Sequence, residues 1–289
     1  MKAREIKTRI ASVKNIAKIT KAMKMVAAAR LRRFQEKLLA SRPYGQEVRN
    51  LMADLSGAAG NSNHPLLKAG PENGRTLILF FTSDRGLCGS FNSNLFRAVE
   101  SLIRERNPEL TDVLALGRKG LDFLRHRRGI TLSEVPGDLS KLQIGTALNL
   151  GAEAMRRFQS GVYREVVMVY SHFKTVSSRE VVRETLLPLK GDPDQDQKHP
   201  AQKVDLLFEP SEKSVLETLI PMAVKSRVWI ALLESLSSEM AARMLAMENA
   251  NKNAKDMIDS LTLQYNRARQ AGITKELAEI VGGAEALKA

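Results

Sequence analysis

Cysteine is almost missing from this sequence: Cys88 is the only one in 289 residues. No disulfide can close within the chain, and a reducing compartment is the default expectation. The four histidines, His64, His126, His172 and His199, lie far apart, and without a CxxC pair they lack the spacing of a metal site. Aromatic residues are scarce at 5%, with Trp229 the single tryptophan, which is lean for a chain folded around one thick core. Long apolar runs are absent too. A run such as Leu77-Ile78-Leu79-Phe80-Phe81 is far too short to cross a bilayer. The opening MKAREIKTRI carries no apolar stretch of the kind a secretory signal needs. Any role at a membrane is therefore expected to be peripheral.

Acidic residues are missing in one place, and that placement says more than the net charge of +13. Residues 1–57 hold 14 Lys and Arg against 4 Asp and Glu, a local charge of +10, whereas residues 211–289 balance at 10 against 10. The basic run Lys14, Lys18, Lys21, Lys24, Arg30, Arg32, Arg33 and Lys37 has almost no acidic counterpart in the first 35 positions. A solvated helix face is the ordinary reading of such a run, but one so unbalanced suggests an acidic partner: nucleic acid, anionic lipid or an acidic protein surface.

Helix breakers are also rare at the start, where residues 1–55 contain only Pro43 and no glycine before Gly45. Ile6, Ile10, Val13, Ala17, Thr20, Lys24, Ala27, Leu31, Phe34 and Leu38 recur in steps of four and three, the stripe of a coiled-coil seam. Ile16, Ile19, Met23 and Val26 form a second apolar row beside it, wider than a two-stranded seam needs. The C-terminal segment repeats the period with Met240, Met244, Met247, Asn251, Ala254, Ile258, Leu261, Tyr265 and Ala268. Small residues and methionine pack closely but hold weakly, and Asn251 in the seam costs stability while fixing register. Pro221 is expected at the start of this helix. From there to Val281 it would run roughly 90 Å at the helical rise per residue, with Gly282 and Gly283 loosening its last turns.

Between these helices the pattern changes. Residues 60–74 read as a linker, within a boundary region of 58–75, and residues 76–82 (TLILFFT) as a buried strand. A glycine-rich turn and a helix over 91–106 follow, then a strand at 112–116, a helix reaching 127, a helix over 145–159, and strands at 165–170 and 181–189. Residues 191–200 read as a polar loop and 204–208 as a last strand. Alternating strands and helices imply a mostly parallel, Rossmann-like sheet. The expected organisation is thus an N-terminal coiled-coil helix over 1–57, an α/β domain over 76–210, and a C-terminal coiled-coil helix over 211–289.

The turn at 83–92 (SDRGLCGSFN) follows the first strand and opens a helix, where glycine loops can cradle phosphate. It matches neither GxGxxG nor GxxxxGK[ST]. A tight turn in which Asp84 and Asn92 satisfy backbone groups is the better reading, with Cys88 a small buried thiol. No cofactor or metal is expected.

Three separated stretches carry a family resemblance. Residues 10–15 (IASVKN) leading into 19–27 (ITKAMKMVA) resemble the opening of the γ subunit of F-type ATP synthases, and RGLCG at 85–89 is similar to that family's motif after its first strand. Residues 238–244 (SEMAARM), 257–258, 261–263, 265–270 (YNRARQ) and 273–277 (ITKEL) resemble its most specific signature. The likeness covers essentially the whole chain.

The resemblance implies a non-catalytic rotor. Its helix pair would be a shaft inside a hexamer of alternating α and β subunits, with one copy per complex, and its α/β domain would stand on the membrane c-ring and hold the ε subunit. Arg269, Gln270, Thr274 and Glu276 match positions that meet catch loops of the β subunits. Met23 with Lys24, Arg30 and Arg33 matches the section facing an acidic β lever, and Arg243 belongs to the same contact set. A start directly at the helix, without a transit peptide, implies a bacterial protein on the cytoplasmic face of the inner membrane. The lone cysteine argues against thiol switching. Two rivals remain on the residues alone: a basic coiled-coil protein binding nucleic acid, though without interleaved aromatics for stacking, and a small-molecule enzyme in the α/β insert.

Overall fold

The computed structural model describes residues 3–54, 64–127, 129–135, 144–189 and 211–286. The chain divides into two compact units, one formed by Met1–Ala28 with Arg243–Ala289 and the other by Ala29–Ala242. Helices α1 (Ala3–Asp54) and α5 (Glu212–Ala286) each contribute to both.

The first unit is a two-helix antiparallel coiled coil. Its core is Ile6, Val13, Ala254 and Leu261, flanked by partly buried Ile10, Ala17, Ile258, Tyr265 and Ala268. The direction of pairing follows from two contacts: Lys24 meets Glu248, while Ala17, further back along α1, meets Asn251, further on along α5. The stripes expected from the four-three spacing are the buried stripes on both helices. Asn251 does what a polar seam residue can do for register: its Nδ2 donates to the Ala17 carbonyl at 2.8 Å. Few large side chains are buried here, each worth about 1.5–3 kcal/mol, so the seam is thin.

The second unit is built on a five-stranded sheet in the order β3-β2-β1-β4-β5. β1 (Arg75–Phe81) lies at its centre with parallel β2 (Thr111–Leu116) and β4 (Tyr163–Phe173) on either side. Every β1 residue after Arg75 is buried, as a central parallel strand covered on both faces requires. β3 (Thr131–Glu134) continues the parallel order beyond β2, and β5 (Arg179–Leu187) closes the other edge antiparallel to β4. Helix α2 (Phe91–Arg106) buries Phe91, Leu95, Val99, Leu102 and Ile103, a stripe at helical spacing. α3 (Arg118–Leu124) and α4 (Ile144–Gln159) complete the layers. Gly117 makes the β2–α3 turn possible. Its φ is +90°, and a Cβ there would fall 2.3 Å from the Thr82 carbonyl oxygen.

Asp112 pins the N-terminal end of the sheet. It is ion-paired with Arg75 and accepts from the Tyr163 hydroxyl at 2.6 Å. Burial alone would raise its carboxyl, but these hydrogen bonds outweigh burial and hold it below its ordinary range.

Some expectations need correction. Pro221 lies inside α5, nine residues past its start, not at the helix beginning. The helix extends upstream because Leu216, Leu219 and Ile220 are buried against the unit, which offsets the one backbone hydrogen bond proline cannot make. α5 also continues through Gly282 and Gly283 to Ala286. β3 was not foreseen. Residues 64–74 do not hang free: Leu66 is buried, its carbonyl accepts from Leu189 N at 2.8 Å, and Gly70 N donates to Arg164 O. The polar loop at 191–200 and the strand at 204–208 lie outside the described residues.

Candidate partner-contact surfaces

In doubly wound sheets the ligand crevice lies beyond the carboxyl ends of the strands, where the order reverses. Here that place is between β1 and β4, and the chain's own α5 fills it. Ser238 Oγ donates to the Ser171 carbonyl of β4 at 3.0 Å. Ala242 packs among Cys88, Phe91 and Val169. The turn at 83–92 is internally satisfied, as its residue types suggest: Asn92 Oδ1 accepts from Ser83 N at 3.3 Å, and Asp84 Oδ1 accepts from Arg118 N at 3.2 Å. Cys88 is buried, with Asn92 Nδ2 at 3.3 Å from its sulfur.

The outward faces of the first unit carry the unusual chemistry. Ile16, Ile19 and Val26, which form the second apolar row together with Met23, are 51%, 58% and 54% exposed, so this row faces away from the seam. Beside it runs a groove of 590 Å³ floored by Ala17, Met25 and Asn251 and rimmed by Lys18, Lys21, Lys24, Lys252 and Lys255, with Glu248 the single acid. Lys24 Nζ reaches Glu248 Oε1 at 2.6 Å. The other four lysines make no ion pair within this groove, which leaves a concentrated positive field. The sequence indicates half of it through the lysines of α1. Lys252 and Lys255 were missed because residues 211–289 are neutral overall and only antiparallel pairing brings these two alongside the α1 lysines.

Along α5, Arg269, Gln270, Thr274 and Glu276 are all exposed on one stretch of helix, and Thr274 Oγ1 donates to the Gln270 carbonyl at 3.0 Å. Ile273, Leu277, Ile280 and Val281 are exposed on that same stretch. Met23, Lys24 and Arg243 belong to the first unit, Met23 and Arg243 half-buried. Arg30, half-buried, and Arg33, exposed, belong to the second.

A second polar cluster escaped the sequence reading. In the second unit His172 Nδ1 lies 2.6 Å from Glu234 Oε2, and Tyr170 donates its hydroxyl to Glu184 at 2.9 Å. Burial pushes the Glu234 carboxyl up, only partly offset by His172 and Arg42. Burial, with Glu184 and Glu234 nearby, likewise raises the Tyr170 hydroxyl.

A coiled coil whose outer faces hold exposed apolar rows and unpaired lysines, joined to a sheet domain whose ligand crevice is filled from within, defines a class of protein that works through its surfaces. A family model described as ATP synthase matches residues 2–287. Over 287 residues the chain is 42% identical to the ATP synthase gamma chain of Geotalea daltonii, covering 99% of this chain and 98% of that one. The ATP synthase gamma chain of Pelotomaculum thermopropionicum is 42% identical over 285 residues, covering 99% of each. This chain belongs to the ATP synthase γ-chain family. Among solved structures, a chain of the Tetrahymena thermophila mitochondrial ATP synthase central stalk and c-ring is 29% identical with a TM-score of 0.60, covering 80% of this chain and 99% of that chain. A chain of the Euglena gracilis mitochondrial ATP synthase rotor shares the fold at 20% identity and a TM-score of 0.66, covering 94% and 98%.

Proposed function

We propose that this chain is the central-stalk rotor of an F-type ATP synthase, carrying torque between a proton-driven membrane c-ring and the catalytic β subunits while holding no catalytic residue itself. The observation that carries the proposal is the surface of the first unit in a chain related to γ chains over its whole length. Its apolar row and lysine groove face outward, whereas a coiled coil serving only to join two chain ends needs a polar exterior.

The physical reading of each contact follows. Lys24, Arg30 and Arg33, with Met23 between apolar and basic rows, present positive charge to an acidic lever of the β subunits, and Arg243 extends the same set. Exposed ion pairs are worth only ~0–1 kcal/mol each, so such contacts can be exchanged as the shaft turns. Arg269, Gln270, Thr274 and Glu276 offer polar hydrogen-bonding groups for a catch, on a helix stretch whose exposed Ile273, Leu277, Ile280 and Val281 suit a close apolar sleeve. The second unit would stand on the c-ring and bind the ε subunit, with one copy of the chain per complex. Among the described residues no helix is long and apolar enough to cross a membrane, which accords with peripheral attachment; a bacterial inner membrane, on its cytoplasmic side, is the proposed location. Neither the family nor its relatives support nucleic-acid binding.

Mixing the chain with α and β subunits tests the proposal. A stoichiometric, ATP-hydrolysing complex is expected. Failure to assemble, with the α and β subunits competent to bind a known γ chain, would overturn it.

A further inference from the structure

The second unit contains a polar cavity that the rotor reading leaves unused. It measures 710 Å³ and is bounded by α1, the β4–β5 edge of the sheet and α5. Its polar lining comprises Arg42, Gln46 and Arg49 from α1, Tyr170 and His172 from β4, Glu184 from β5, and Arg227 and Glu234 from α5. Three arginines therefore share the lining with two carboxylates.

The partners those groups already have decide what the cavity can take. Glu184 is held by the Tyr170 hydroxyl at 2.9 Å, and Glu234 by His172 at 2.6 Å. Their arginine contacts are long, 4.0 Å from Arg227 to Glu184 and 4.0 Å from Arg42 to Glu234. Neither guanidinium makes the bidentate fork of a saturated pair. Arg49 donates through Nη2 to Gln46 at 3.0 Å, yet its Nε is buried without a hydrogen-bond partner. Among the described residues Arg49 is paired with no carboxylate, so its fork is held only by Gln46. Ionised Glu234 is also disfavoured by its burial, which shifts the balance of charge further toward positive.

We propose that this cavity binds one phosphate group, as free inorganic phosphate or as a phosphate monoester, held by Arg42, Arg49 and Arg227. Planar guanidinium forks match phosphate oxygens better than a lysine ammonium does. The cavity is separate from every contact assigned to the rotor surfaces, so its failure would leave that reading untouched.

The single tryptophan provides the readout. Trp229 lies two residues from Arg227 and donates from Nε1 to Ser41 Oγ at 2.9 Å, next to Arg42. Its emission in the purified full chain is titrated with inorganic phosphate and, separately, with ribose 5-phosphate, each against sodium chloride at matched ionic strength. A saturable change with either phosphate compound, absent with chloride, supports the site, and the arm that saturates names the form bound. Arg49→Gln and Arg227→Gln are each expected to weaken binding by at least about tenfold, and Lys252→Gln on the first unit to leave it unchanged. Should either arginine variant unfold, Arg42→Gln, on a half-exposed side chain, reports the same loss. Equal responses to phosphate and chloride, or full binding by the arginine variants, would overturn the proposal.

Discussion

Replacing Leu261 by alanine should loosen the coiled-coil unit and leave the sheet unit as it is. Leu261 is one of four buried side chains in the first unit's core cluster, with Ile6, Val13 and Ala254. The substitution removes about three carbon groups at ~0.8 kcal/mol each. A cavity penalty adds little, because a seam between two helices relaxes more readily than a closed core. The expected loss is thus about 2.5–3 kcal/mol of local stability. Hydrogen exchange measured amide by amide reads this directly. Amides within residues 4–17 and 254–268 should exchange roughly 70- to 150-fold faster, about tenfold for each 1.36 kcal/mol. Those of β1 and β4 should keep their protection. If the strand amides accelerate by the same factor, the chain opens as one cooperative body and the division into two units is wrong. If residues 4–17 are unaffected, Leu261 does not support the seam.

Other outcomes can be checked independently. Gly117→Ala puts a Cβ where φ is +90° and where the Thr82 carbonyl lies 2.3 Å away; a loss of at least about 1–3 kcal/mol is expected in urea unfolding, and an unchanged midpoint would contradict the turn geometry. Two carboxylates should give opposite pH slopes. Asp112 is held below its ordinary 3.8, so its stabilisation is present above that value and lost as pH falls through the lower folded value; Asp112→Asn should erase that acid loss. Glu234 is held above its ordinary 4.5, so the native state gains stability as pH falls through the raised value toward 4.5, and Glu234→Gln should erase that gain. Finding the same slope for both would refute the assignment of causes. Reversing charge at the proposed catch, Arg269→Glu with Gln270→Ala, should depress coupled ATP synthesis while the complex still assembles; intact coupling would remove these residues from that role.

The coiled coil was the most legible part of the fold, because a seam repeats its signal at every turn. Ile6, Val13, Ala27, Leu31, Phe34 and Leu38 follow the stripe and are buried, and Asn251 announces its seam role by being the one amide side chain in the α5 stripe. β1 was equally plain, since TLILFF leaves no exposed position for a polar residue. β3 was not legible. Its four residues, TLSE, sit at a sheet edge with both ends exposed, too short to alternate and too solvated to read as a buried run. Pro221 misled because a local rule placed it at a helix start, whereas burial of Leu216, Leu219 and Ile220 decided the matter through packing that sequence alone does not reveal. The same limit applies to the surfaces. Lysines on α1 could be seen as a basic run, but the groove needs Lys252 and Lys255 from the partner helix, and the His172–Glu234 pair joins residues 62 apart in sequence.

The central claim is that this chain turns. Glu109, exposed beside β2, can carry a probe through Glu109→Cys, since the native Cys88 is buried. With the chain assembled into immobilised α and β subunits, single-molecule imaging should record the probe rotating in one direction under ATP, with one pause for each catalytic site. A probe that stays fixed while the same complexes hydrolyse ATP would contradict the account.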